Sequence, residues 1–205
     1  MQALTRAAVK RLAPHFEGMA YLKDFKKVSL NDFKGKYLCL FFYPLDFTFV
    51  CPTEIIEFNQ KAKEFEKHNC GLVGCSVDSH FSHMEWSKKP RDQGGLGELN
   101  FPLLSDITKN ISKDYGVLIE EDGVALRGTF IIDGNGIIRH AGINDLSVGR
   151  NIDEIIRLVQ AYQYADKHGE VCPSNWKTGG DPTMKADPNS KLTLDYWKKV
   201  HATKN

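Results

Sequence analysis

Short, continuous apolar runs alternate with segments of helical periodicity along the first half of the chain. Residues 37–43 (YLCLFFY) carry no charged residue, the pattern of a strand buried on both faces. From residue 53 to 68 (TEIIEFNQKAKEFEKH), Ile55, Ile56, Phe58, Ala62 and Phe65 recur near helical spacing with charges between them, which predicts one amphipathic helix. Residues 71–77 (GLVGCSV) repeat the buried-strand pattern, and the polar stretch over 79–89 predicts a second helix.

Further on, residues 128–133 (GTFIID), the turn Gly134-Asn135-Gly136 and residues 137–141 (IIRHA) carry a hairpin signal. Residues 151–167 open on Asn151, a candidate N-cap, and place Ile152, Ile155, Ile156, Val159 and Tyr162 on one stripe of a helix. The order βαβα followed by ββα favours right-handed crossovers in a mixed sheet. The expected fold class is α/β, a thioredoxin-like fold with a central mixed sheet flanked by helices. After Gly169 the pattern dissolves into Pro173, Gly179, Gly180, Pro182 and Pro188 before a last amphipathic piece over 192–200. This predicts a domain over residues 1–168 and an extended C-terminal arm over 169–205 that needs another surface to pack on.

Composition narrows the function classes. With 205 residues, 41% of them hydrophobic, the chain can bury a full core. Its 27 basic and 26 acidic residues leave a formal charge of +1, which gives no electrostatic case for nucleic acid or an anionic membrane. No window has the roughly 18 apolar residues of a spanning helix. The start, MQALTRAAVKRLAPHF, lacks the apolar run of a secretory signal. Although basic through Arg6, Lys10 and Arg11, it leaves few residues for a transit peptide ahead of the first domain element, so the expected compartment is the cytoplasm.

Cys39, Cys51, Cys70, Cys75 and Cys172 are an odd number of cysteines, with no CxxC and no His/Cys spacing that closes a zinc site. A disulfide framework and a structural metal are therefore not expected, and the question is which thiol reacts. Cys39 and Cys75 fall inside apolar strands and Cys70 at a helix end, where a cysteine serves as a small hydrophobe. Cys51 differs, because Pro52 suits the first helical position and sets the thiol at the positive end of a helix dipole, which favours thiolate. Thr48 and Pro44 share its loop, and a hydroxyl three residues before a nucleophile can orient and polarise a substrate. The seven histidines, His80 and His83 among them, are expected to be solvated or structural.

The string PLDFTFVCPTEI contains the pattern PxxxTxxC as Pro44, Thr48 and Cys51, and it resembles the peroxiredoxins, in particular their typical two-cysteine class. SVDSHFSHMEWSK, the GGLG of Gly94, Gly95, Leu96 and Gly97, ALRGTFIID, VGRNIDEIIRL and GEVCPSNWKTG around Cys172 extend the likeness over nearly the whole chain, in the family's order.

The resemblance implies that Cys51 is the peroxidatic nucleophile and that Arg127 stabilises its thiolate and hydrogen-bonds the peroxide. It makes Thr48 the group that positions the peroxide and Pro44 the shield against water, with Glu54 and Arg150 orienting the arginine network. It makes Cys172 the resolving thiol, reaching from the other subunit of an antiparallel homodimer, and it implies five such dimers in a ring. The substrates would be hydrogen peroxide and alkyl hydroperoxides, and the reductant thioredoxin or a similar dithiol. No cofactor and no metal are implied, and neither nucleic acid nor membrane is a partner. Gly94 to Gly97 and Tyr196-Trp197 resemble the paired motifs of members sensitive to overoxidation, with Trp197 standing where the family usually has Phe. Holdase activity after overoxidation is a second activity known in the family. A disulfide oxidoreductase shares the fold but normally carries CxxC at the helix start, where this chain has Phe49-Val50-Cys51-Pro52.

Overall fold

The computed structural model describes residues 7–201, so Arg6 of the basic start lies outside the described residues. Two compact units divide between Ile152 and Asp153. In the first, β1 (Glu17–Leu22) and β2 (Asp24–Ser29) form a hairpin. The strand β3 (Tyr37–Phe42) leads into α1 (Cys51–Gln60) and α2 (Ala62–Lys67), and β4 (Cys70–Ser76) leads into α3 (His80–Lys88). Then come β5 (Leu103–Ser105), α4 (Asn110–Asp114), the small ribbon of β6 (Leu118–Ile119) with β7 (Val124–Ala125), and the hairpin of β8 (Arg127–Ile132) with β9 (Ile138–Asn144). The long helix α5 (Ile152–His168) begins at the boundary, and α6 (Lys191–His201) closes the second unit's described chain.

Seven strands form one mixed sheet in the order β2, β1, β5, β4, β3, β8, β9. Parallel pairing joins β3 to β4 and β4 to β5, while β8 runs antiparallel to β3. The uninterrupted apolar run of β3 follows from its central place: Leu40 lies opposite Val73 on one side and Phe130 on the other. Leu38, Leu40 and Phe42 join Phe16, Tyr115 and Phe130 in one core cluster. Phe41 faces the other way and stacks on Phe58 of α1 with ring centroids 4.1 Å apart. Fully burying such side chains contributes about 1.5–3 kcal/mol each, which fixes α1, and with it Cys51, against the sheet.

Three features depart from the sequence reading. The helix expected from residue 53 begins at Cys51, because Val50 already has helical backbone angles (φ −81°, ψ −38°). Pro52 therefore takes the second helical position. The same helix breaks at Lys61 (φ −95°, ψ 4°). Just before the break, Asn59 turns inward to donate to the Glu98 carbonyl and to accept from the Asn100 backbone at 2.8 Å. Hydrophobic periodicity runs straight through this tertiary event. The hairpin of β1 and β2 was not expected at all: most of β2 is exposed and polar, and its pairing with β1 rather than a buried face holds it in place.

Among the described residues no helix is long and apolar enough to cross a membrane, and no group of three His, Cys, Asp or Glu is placed to hold a metal ion.

Candidate active site

The strand β3 ends below a loop, residues 43–50, that delivers the chain to the start of α1. Pro44 is buried, Thr48 half-buried, and Phe49 90% exposed. Thr48 Oγ1 donates to the Leu45 carbonyl at 2.9 Å, which folds the loop back on itself and fixes the hydroxyl's direction. No side chain caps α1; the backbone N–H groups of Thr53 and Glu54 both reach the Val50 carbonyl. Cys51 is the first helical residue and is fully buried, so its sulfur sits among the unpaired N–H groups of a helix N-terminus.

Two arginines and one carboxylate complete the surroundings of that sulfur. Arg127, the first residue of β8, places Nη1 at 3.3 Å from Cys51 Sγ and at 2.8 Å from Glu54 Oε2. Its Nε and Nη2 donate to the Leu146 carbonyl at 2.9 and 2.7 Å, so the whole fork is held from behind. Arg150 grips Glu54 from the other side, through its backbone N–H at 2.9 Å, Nε at 2.8 Å and Nη2 at 3.0 Å. Its Nη1 donates to the carbonyls of Phe42 and Gly128, and its guanidinium lies 5.3 Å above the centroid of Phe41. Glu54 thus accepts four hydrogen bonds while its side chain is only 2% exposed. Two guanidinium groups face a single carboxylate, which leaves one uncompensated positive charge beside the sulfur. Such a charge can stabilise a thiolate, and the same fixed donors can face an oxygen anion formed beside it.

The other thiols are unsuited to the task. Burial pushes Cys39 up to about 12, against the opposing pull of Arg150. Burial also raises Cys70 and Cys75 well above the ordinary thiol range, with Asp106 adding to the effect on Cys75. All three stay protonated near neutrality, as expected of small hydrophobes. Cys172 lies in the second unit, half-buried beside the Val171 to Met184 bridge, with Sγ 3.6 Å from the Ala161 carbonyl. Partial burial raises its pKa, Arg157 lowers it, and Glu170 raises it again.

Gly94 to Gly97 form a tightly bonded turn rather than a slack loop. Gly95 N donates to the Pro90 carbonyl, Leu96 N to Trp86 and Gly97 N to Lys89. Gly94 has φ +79°, and a Cβ on Gly95 would come within 2.0 Å of the Lys89 carbonyl oxygen, so side chains are excluded at both positions. Leu96 is fully buried. In the second unit, Tyr196 and Trp197 lie on α6 with rings edge to face at 5.3 Å, and Trp197 is half exposed. The structure therefore links Cys51 to Arg127, Arg127 to Glu54 and Glu54 to Arg150 in one chain of contacts, with Thr48 and Pro44 on the preceding loop. The sequence reading missed the Leu146 carbonyl that holds Arg127, since a backbone acceptor leaves no mark in a residue pattern.

Comparison with known proteins gives the class. Residues 9–141 match the AhpC/TSA family, and residues 161–199 match the C-terminal domain of 1-Cys peroxiredoxin. A rat protein named thioredoxin-dependent peroxide reductase, mitochondrial, is 59% identical over 195 residues, spanning 95% of this chain and 75% of its own length. Bovine peroxiredoxin-2 is 54% identical over 97% of this chain and 99% of its own. A reduced 2-Cys peroxiredoxin from Plasmodium vivax, known from its crystal structure, matches with a TM-score of 0.85 at 48% identity, covering 88% of this chain and 94% of that one. The chain belongs to the peroxiredoxins, thioredoxin-fold oxidoreductases that act as peroxidases.

The same findings correct the expected compartment. Rat, mouse, orangutan, human and bovine relatives at 58–59% identity are all named mitochondrial, which overturns the cytoplasmic expectation. A near-zero net charge and the lack of a long apolar run describe a protein of any aqueous compartment, so composition could not discriminate between them.

Proposed function

We propose that this peroxiredoxin reduces hydrogen peroxide and alkyl hydroperoxides through Cys51, and that the contact between Arg127 Nη1 and Cys51 Sγ at 3.3 Å carries the reading. The Cys51 thiolate attacks one peroxide oxygen; the O–O bond breaks, sulfur becomes sulfenic acid, and the departing oxygen leaves as water or alcohol after taking up a proton. Arg127 faces the charge that develops, Thr48 orients the two peroxide oxygens, and Pro44 keeps water from the sulfur. Glu54 and Arg150 hold Arg127 in place.

Cys172 of the partner subunit then condenses with the sulfenic acid, releasing water and forming an intersubunit disulfide, which thioredoxin or a similar dithiol reduces by exchange. In this reading residues 1–168 are the peroxidase domain and residues 169–205 the arm that carries the resolving thiol, in a homodimer that assembles into a ring of five. Antioxidant defence, peroxide signalling and holdase activity of the overoxidised form complete the proposal. The test is stopped-flow oxidation of the reduced protein by hydrogen peroxide and by an organic hydroperoxide, with thioredoxin supplied for turnover; no fast phase with either peroxide would end the reading.

Two variants separate the later steps. Cys172→Ser is expected to consume one peroxide per Cys51 and then stop, running as a monomer on a non-reducing denaturing gel; a disulfide-linked dimer there would assign resolution to another thiol. Formation of the disulfide requires the first turn of α1 to unwind, since bonded cysteines need Cα atoms within about 7 Å. Gly94 to Gly97 and Tyr196-Trp197 are together proposed to slow that unwinding and so give a second peroxide time to carry Cys51 to sulfinic acid. Deleting the chain from Tyr196 onward is expected to raise several-fold the peroxide concentration that inactivates the enzyme during turnover. Unchanged sensitivity removes the locking role.

A further inference from the structure

A buried polar network lies under the loop that carries Thr48, and the peroxide reading makes no use of it. Of the side chains between Leu45 and Val50, Asp46 alone is buried, while the half-exposed Phe47 ring leans on Trp86 with centroids 5.7 Å apart. The partner of Asp46 is His83 on α3, whose Nδ1 lies 2.8 Å from Asp46 Oδ2; the two side chains are 0% and 1% exposed. His83 Nε2 lies 3.3 Å from the Leu104 carbonyl on β5. Tyr43, at the foot of the loop, donates its hydroxyl to Asp46 Oδ1 at 2.9 Å and lies 3.4 Å from His83 Nδ1. The Asp46 backbone N–H donates to Asp78 Oδ2 at 2.8 Å, and Asp78 also accepts from Ser76 Oγ.

Hydrogen-bond chemistry determines the proton count. A carbonyl oxygen can only accept, so the Leu104 contact places one proton on Nε2. The contact at 2.8 Å between Nδ1 and Oδ2 then holds a second proton, drawn either as imidazolium facing carboxylate or as imidazole facing carboxylic acid. Counted with that proton the pair is neutral, and each polar atom in it has a partner, which is how ionisable groups persist in a dry interior. The loop above has reason to need such an anchor. Phe47, the next residue, is held at φ +56°, a backbone region that a bulky side chain rarely adopts, and its own side chain is half exposed.

We propose that the His83–Asp46 pair is a positioning device for the peroxide reaction. It ties the loop of residues 44–50 to α3 and β5, so that the Thr48 hydroxyl is presented to the substrate in one geometry. The inference rests on the peroxidase reading of Cys51. Neither His83 nor Asp46 touches the reacting atoms; they act through Thr48, and displacement by about 1 Å at such a site costs on the order of 100-fold in rate.

Two reactions of Cys51 in the reduced full-length protein distinguish positioning from general damage. Oxidation by hydrogen peroxide uses the Thr48 hydroxyl, whereas alkylation by iodoacetamide reaches the buried Cys51 through local opening and needs no hydroxyl from the loop. His83→Ala is expected to slow the peroxide reaction about 100-fold while alkylation stays within about threefold of wild type. Asp46→Asn should rescue: its Oδ1 still accepts from Tyr43, and its amide N–H replaces the shared proton by donating to Nδ1 of a neutral imidazole. Peroxide reactivity within about threefold of wild type is therefore expected for Asp46→Asn, against a loss near 100-fold for Asp46→Ala. A wild-type peroxide rate in His83→Ala overturns the proposal. So do parallel losses in both reactions, and so do equal losses in Asp46→Asn and Asp46→Ala, the comparison that decides if His83→Ala fails to fold. Wild-type protein whose Cys51 alkylates but does not react with peroxide would overturn the peroxidase reading, and this inference with it.

Discussion

Cys51→Ser is expected to abolish peroxide turnover, with a loss on the order of 10⁴-fold or more, as when the nucleophile of a catalytic unit is removed. The substitution is nearly isosteric, and the Arg127 Nη1 that lies 3.3 Å from sulfur can donate equally to a hydroxyl. What disappears is chemistry: oxygen in that position is protonated near neutrality and has no counterpart of the sulfenic acid. None of the remaining four thiols can substitute. Cys39, Cys70 and Cys75 are buried and protonated, and Cys172 has a raised pKa and sits in the second unit. Peroxide consumption followed through thioredoxin-coupled oxidation of NADPH provides the measurement. Residual turnover above a tenth of wild type would sink the assignment of Cys51.

The second large effect is expected at a residue that does not contact peroxide. Glu54→Gln keeps the size of the side chain but leaves Arg127 and Arg150 buried together without the carboxylate they share. One oxygen still accepts, while the new amide N–H group points donors at guanidinium donors that now occupy 2.8–3.0 Å contacts. Breaking a buried ion pair by removing one partner costs about 3–5 kcal/mol, so a clear drop in thermal midpoint should accompany the loss of activity. With Arg127 no longer aimed at sulfur, peroxide reactivity should fall by about 100-fold or more, the range found when a preorganised donor is lost. A variant that stays within 1 kcal/mol of wild type in denaturant titration would show that Arg127 and Arg150 are held by their carbonyl acceptors alone.

Much of this site was legible in the sequence, for a definite reason. Pro44 and Thr48 lie on the loop that leads straight into Cys51, so chain connectivity alone keeps the three near one another. Arg127 and Arg150 are 76 and 99 positions away, and only family likeness placed them at the site; their distances to Glu54 come from folding. Central strands were equally legible, because β3 is buried on both faces and has no room for polar residues. The elements that escaped are those whose stability is not local. The second strand, β2, presents mostly exposed residues, β5 is three residues long, and the break at Lys61 leaves the spacing of Phe58 and Phe65 undisturbed. His83 was read as one solvated or structural histidine among seven. Its position three residues before Trp86, also fully buried, was the available sign that this face of α3 turns inward.

The four hydrogen bonds on Glu54 also set a limit on motion. For Cys51 to leave its pocket, the chain must pay out from the start of α1, and Glu54 is only three residues further along. While both arginines keep hold of it, Cys51 moves on a tether of three residues, at most about 10–11 Å long when fully extended. A thiol that comes to meet it must enter that radius, whatever subunit supplies it. In the disulfide step proposed above, reach as much as reactivity would then select the sulfur that bonds to Cys51.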